Sequence, residues 1–220
     1  MNLKFALLVI SLLSLSVMSY SQEKLFFNRI HYFEHQYCQH PIGTVIEDKV
    51  FFSNNTSSDI FMNFFSSKSN LAFVDLTHYG EYIAFNQFLK KDFISANSVL
   101  MGFEQSVPNP SESIKEARMR FKVKTVKDSI IDDKTLKHIQ IVPKDTLVHR
   151  FESYNILVNT ESKTELPLFT SPSVYFLLLG SLKELRGTVV ETYFIDLEGY
   201  IFCRDVLMGI QITNKRIYIK

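Results

Sequence analysis

Three of the six histidines of this chain fall within ten positions, in the run His31-Tyr32-Phe33-Glu34-His35-Gln36-Tyr37-Cys38-Gln39-His40. One glutamate and one of the two cysteines lie between them. Imidazole, thiolate and carboxylate are the donors that zinc takes. His31 and His35 stand four apart. On a helix that spacing puts both rings on one face, and on a strand it does so too, two pleats apart. The run lacks the glutamate that follows the first histidine of a His-Glu-x-x-His helix. One expectation is therefore a metal-dependent site or hydrolase with His31, His35 and His40 as ligands, zinc as the ion, and Cys38 or Glu34 as a further donor. The competing expectation is that these histidines are surface or hydrogen-bonded members of a tyrosine-rich strand.

Other chemistries are poorly represented. There is no Gly-x-Ser-x-Gly elbow, and Gly180-Ser181 sits inside an apolar stretch, a poor place for a nucleophile. None of the seven glycines forms a phosphate-cradling loop. Cys38 beside His35 or His40 is a thiol–imidazole pair in sequence only. Asp128, Asp132 and Asp133 sit in an expected turn and read as solvated charges. Glu191, Asp196 and Asp205 lie in or beside expected strands, where they can line a sheet face. This balance leans away from an enzyme.

The elements that carry these residues are mostly strands. Leu25–Tyr37 and Thr44–Ser53 are rich in β-branched and aromatic residues. Asp59 is expected to cap a short helix, with Ile60, Phe61, Phe64 and Phe65 on one face. Leu71–Thr77 and Glu81–Leu89 read as a hairpin around His78-Tyr79-Gly80. Ser113 and Glu116 make a capping box for one helical turn. Met119–Val126, Leu136–Val142 and Leu147–Val158 read as a meander joined by short polar turns. Ser171-Pro172 opens a helix expected to run from Pro172 to Leu185, apolar all round over Val174–Leu179 and hence buried. The chain then ends in alternating strands, with turns expected at Asp196-Leu197-Glu198-Gly199 and at Thr213-Asn214-Lys215-Arg216.

The first residues set the compartment. Lys4 is followed by an uncharged apolar run from Phe5 to Met18, and Ser19 and Ser21 place small residues at alternate positions. This is the pattern of a secretory signal, residues 1–21, and the run is short for a membrane span. With its Ser-Gln junction it resembles the signals of exported envelope proteins. Lysine and arginine total 24 against 23 acidic residues, so removing Lys4 brings the two signs level. A chain without net charge has no electrostatic footprint for nucleic acid or for an anionic membrane. After cleavage no stretch is apolar enough to form a stable membrane span. Twenty phenylalanines and no tryptophan point to a core built on phenyl rings. Cys38 and Cys203 are expected either to form one disulfide across the fold or to remain as buried thiols, the thiols being favoured by the placing of Cys203 in an apolar strand.

The expected protein is mainly β, or α+β. Its antiparallel curved sheet or sandwich packs against one buried helix, in a single β-rich domain spanning residues 22–220. The expected role is that of an exported, non-enzymatic protein, periplasmic, envelope-associated or secreted. Its expected partner is a protein or an apolar, lipid-like ligand.

Overall fold

The computed structural model describes residues 23–39, 43–66, 70–102, 105–106, 109–131, 134–161, 163–179 and 185–220. The expected signal, His40, and residues 180–184 of the expected helix lie outside the described residues, as do the side chains of Cys38 and Gln39.

The described chain is mainly antiparallel β. Thirteen strands join in one curved sheet. They are β1 (Glu23–Gln39), β2 (Gly43–Asn54), β3 (Ser57–Ser66), β4 (Leu71–His78), β5 (Tyr82–Leu89), β6 (Ser98–Met101), β7 (Gln105–Ser106), β8 (Phe121–Thr125), β9 (Ser129–Ile131), β10 (Lys134–Pro143), β11 (Ser153–Asn159), β12 (Thr188–Ile195) and β13 (Ile201–Ile219). Four helices interrupt them: α1 (Lys90–Ser95), α2 (Pro110–Arg120), α3 (Thr146–His149) and α4 (Pro172–Leu179). The main path across the sheet runs β7-β5-β4-β3-β2-β1-β13-β12-β11-β10-β8, with β6 parallel to β13 and β9 beside β10. Two meanders, β1 to β5 and β10 to β13, are thus zipped together by their end strands. The seam is long: Glu23 pairs with Ile219 at one end and Tyr37 with Cys203 at the other.

The middle parts of β2 and β3 are buried on both faces. Phe51 and Phe61 enter the cluster under α4, whereas their neighbours Phe52 and Met62 enter a second cluster around Phe93 of α1. A strand covered on both sides carries consecutive rather than alternating apolar residues. That is why Ile60-Phe61 with Phe64-Phe65 has the look of a helical face in sequence, although these residues belong to β3.

The buried helix is where it was expected. Val174 to Leu178 are all buried, and Tyr175 N–H closes the first turn on the Ser171 carbonyl at 2.9 Å. The helix α2 is longer than the single expected turn. Asn109 caps it by accepting from Ser111 N–H at 2.9 Å, with Pro110 at the first position. The expected strand at Leu147 begins later, because Asp145 caps α3 through the Leu147 and Val148 amides.

The expected turn at Thr213–Arg216 is a β-bulge. Phe27 pairs with Lys215 and Arg29 with Ile212, so Thr213 and Asn214 together stand opposite Asn28. Pairing to β1 on one side and β6 on the other keeps the strand running. The local turn preference of Asn214 is absorbed as one extra residue. The turn at 196–199 forms as expected, with Gly199 at φ +89°.

Candidate functional site: a cleft between two helices and the β4–β5 turn

The helices α2 and α4 lie over the sheet beside the β4–β5 turn, and a cleft of about 270 Å³ opens between these three elements. Its placement follows from Tyr79 and Gly80. Tyr79 N–H donates to the Asp59 carbonyl at 2.8 Å, and its hydroxyl donates to the Phe169 carbonyl at 3.0 Å. Its ring stacks on Tyr175 at 4.3 Å and leans on Phe176 at 5.8 Å. Gly80 adopts φ +86°, and a Cβ built there would come within 2.4 Å of the Pro110 ring. Only glycine lets the hairpin tip sit this close to the start of α2.

Ile83, Tyr79, Ala117 and Phe176 give the cleft its apolar surface. Ser113, Ser173 and the Glu116–Arg120 ion pair stand around it. The buried tyrosines are chemically quiet. Burial pushes the Tyr79 hydroxyl far above its ordinary range and the Tyr175 hydroxyl up to about 12. Neither titrates near neutrality. The lining joins this apolar surface to a few polar groups, an arrangement suited to holding an apolar group.

The histidines of β1 face the same cluster. His31 is 8% exposed, with Nε2 at 2.8 Å from the Ser53 hydroxyl. Burial lowers its pKa to about 4, so the ring is neutral at pH 7. His35 is 2% exposed, and its Nδ1 meets the Asp205 carboxylate. Asp205 also receives Lys49 at 3.1 Å. The Cys203 sulfur is 3.8 Å from His35 Nε2 and 4.0 Å from Nδ1. A sulfur almost equidistant from the two nitrogens is off the in-plane axis of both. The order Asp–His–Cys is present, but without the directed sulfur–nitrogen contact of an activated thiol. His31 and His35 share a face, as a four-residue spacing on a strand requires, and each has a separate partner. Glu34 points the other way and accepts from Gln36 at 2.6 Å. His40 and the Cys38 side chain lie outside the described residues. The backbone register sets Tyr37 directly opposite Cys203, so the end of the first strand does lie beside it.

No family model matches the sequence, and no curated protein matches it. Similar solved structures exist at low identity. The MucA/MucB complex of Pseudomonas aeruginosa is similar at TM-score 0.40 and 10% identity, over 84% of this chain and 51% of that one. An uncharacterised conserved protein of Thermus thermophilus gives TM-score 0.43 at 6% identity, over 86% of this chain and 80% of that one. A putative outer-membrane lipoprotein-sorting protein domain of Vibrio parahaemolyticus gives 0.34 at 7%, over 84% and 85%. The chain spans about half the length of the MucB chain. Among the described residues, no helix is long and apolar enough to cross a membrane.

The cleft residues carried no signal as a set. Tyr79 and Gly80 read as a turn, Ser113 as a cap and Phe176 as core. Only the glycine after a large aromatic hinted that something packs against the hairpin tip.

Proposed function

We propose that this chain is an exported, non-enzymatic binding protein whose cleft between α2 and α4 takes an apolar segment of a lipid-like or protein partner. The observation that carries the reading is the cleft itself. Its surface is largely apolar with a few polar groups, and it lies against the main core without being filled by side chains of the described residues. A volume of about 270 Å³ is close to the lower end of ligand pockets, roughly 300–1,000 Å³. That size admits one acyl chain or one large apolar side chain. The N-terminal signal pattern supports export, and the level charge argues against nucleic acid.

Titration with the fluorescent fatty acid cis-parinaric acid tests the lipid arm. A benzoyl-phenylalanine photocrosslinker at Ser173, exposed in cells, tests the protein arm. Saturable fatty-acid binding weakened at least tenfold by Ser113→Trp or Ser173→Trp supports a lipid-like ligand. One discrete crosslinked species, lost in Ser113→Trp, supports a protein. Neither result, or binding indifferent to both tryptophans, overturns the reading.

A second reading places a metal or hydrolytic centre on His31, His35 and His40. The observation in its favour is the meeting of His35, Asp205 and Cys203. Zinc uptake lost in His35→Ala would favour it, and uptake indifferent to that substitution would sink it.

A further inference from the structure

A different set of metal-ligand groups meets at the far side of the β4–β5 hairpin. His78 ends β4, Glu81 follows three residues on in the turn, and Glu23 is the first residue of β1. Their meeting is a product of sheet curvature. β1 pairs with β13 from Glu23 onward, but with β2 only from Arg29. Its first residues therefore overrun β2 and reach across to the hairpin. His78 Nδ1 lies 3.5 Å from a Glu81 oxygen and 3.7 Å from a Glu23 oxygen. One ligand atom from each of the three side chains falls within 4.8 Å of the other two.

Three features set this apart from a solvated charge cluster. His78 Nδ1 is shut off from water and makes no hydrogen bond. A buried ring nitrogen normally makes a hydrogen bond, and here the two carboxylates offer charge attraction without one. The two separations are too long for hydrogen bonds. They are close to the distance between neighbouring ligands of a tetrahedral cation, about 3.4 Å for metal–ligand bonds of about 2.1 Å. The other ring nitrogen, Nε2, faces Asp59 at 3.8 Å, and the Ser57 hydroxyl hydrogen-bonds that carboxylate. A shift of about 1 Å would bring this carboxylate into hydrogen-bond distance, the usual support of a metal-bound histidine. The Tyr82 ring packs edge-on against the imidazole at 5.2 Å and fixes its plane.

We propose that Glu23, His78 and Glu81 form a three-ligand site for one divalent transition-metal cation of the zinc class, with Asp59 orienting the imidazole. Two carboxylates neutralise the ion and the imidazole adds a neutral donor, while the exposure of Glu81 leaves a coordination position open to water. The bound ion would join the start of β1 to the β4–β5 hairpin.

The test is titration of the metal-stripped full chain with zinc chloride by calorimetry at pH 7.5. Cobalt(II) is used in parallel for its visible absorption. One equivalent is expected to bind and to raise the melting temperature. His78→Ala should abolish binding. Glu81→Gln should weaken it at least tenfold, and Glu81 is exposed enough that the fold stays intact. Asp59→Asn should weaken it about 10- to 100-fold while preserving stoichiometry. His138→Ala, on the opposite half of the sheet, should change nothing. No saturable uptake by the parent chain, or uptake equal in Glu81→Gln and the parent, overturns the proposal. So does a cobalt spectrum unchanged by Glu81→Gln.

Discussion

Acidification should unfold this protein in part through one residue, His31. Its ring is buried beside Phe33 and engages the Ser53 hydroxyl through Nε2. Burial is the main cause of its depressed pKa. Arg29 adds to the depression, and Glu165 opposes it. The unfolded chain takes up this proton near 6.5, whereas the folded protein refuses it until about 4. Stability is therefore complete above the unfolded value and is lost as pH falls from 6.5 towards 4. Integrating the linkage between pH 7 and pH 5 gives a loss of about 2 kcal/mol from this residue alone. In His31→Gln the amide can still meet Ser53, and nothing titrates. Urea unfolding of both proteins at pH 7, 6 and 5 reads the effect. The parent should lose about 2 kcal/mol more than the variant over that range. His78 acts in the opposite sense, because Asp59 above all, and also Glu81 and Glu23, raise its pKa. Its contribution is common to both proteins and cancels in the difference. Parallel stability curves for the two proteins would refute the reasoning, since they would mean that His31 is protonated in the folded state or solvated there.

Lys215 is 4% exposed, donates to the carbonyls of Phe93, at 2.6 Å, and Ala96, and lies over the Phe93 ring. Lys215→Met leaves both carbonyls without this donor, so the urea midpoint should fall by the equivalent of about 1–3 kcal/mol, and an unchanged midpoint would contradict that role. Gly187 adopts φ +133°, with Asn159 O only 2.2 Å from where a Cβ would stand. Gly187→Ala should cost about 2 kcal/mol or more and lower the melting temperature by roughly 5 °C. Tyr79→Phe removes the buried hydrogen bond to Phe169 and should cost about 1 kcal/mol in thermal unfolding. Fatty-acid affinity of that variant should remain, because the ring still forms the cleft floor.

Much of the fold was legible because its signals are local. Ser171-Pro172 before an apolar run announced α4, and Gly80 and Gly199 marked hairpin tips that the structure confirms at positive φ. The misreadings occurred where tertiary context overrides local preference. Phe61 and Met62 are buried on opposite faces of one strand, and no periodicity distinguishes that from a short helix. Asn214 carries a turn preference that two flanking strands convert into a bulge. The sites were less legible than the elements. The cleft combines Ser113, Phe176 and Tyr79, which are far apart in sequence and individually unremarkable. Histidine density drew attention to residues 31–40. The three ligand groups that the described structure brings within mutual reach are an isolated histidine, His78, and two carboxylates, Glu81 in the hairpin turn and Glu23 of the first strand.

The seam between β1 and β13 has a kinetic meaning. Glu23 and Ile219 are partners, so β1 must wait for β13, which is made much later. Until then β1 presents an unpaired edge, and the meander β1–β5 cannot close its second core, which needs Ile217 and Ile219. Folding of such a topology is slow because most of the chain must be organised as one loop before the reward arrives. For the exported chain proposed above, β1 is thereby kept from setting into its final shape until β13 is available. The same delay exposes a long aromatic edge to other copies. Overexpression in a compartment without a holding chaperone should therefore yield aggregates seeded by β1, not by the helices.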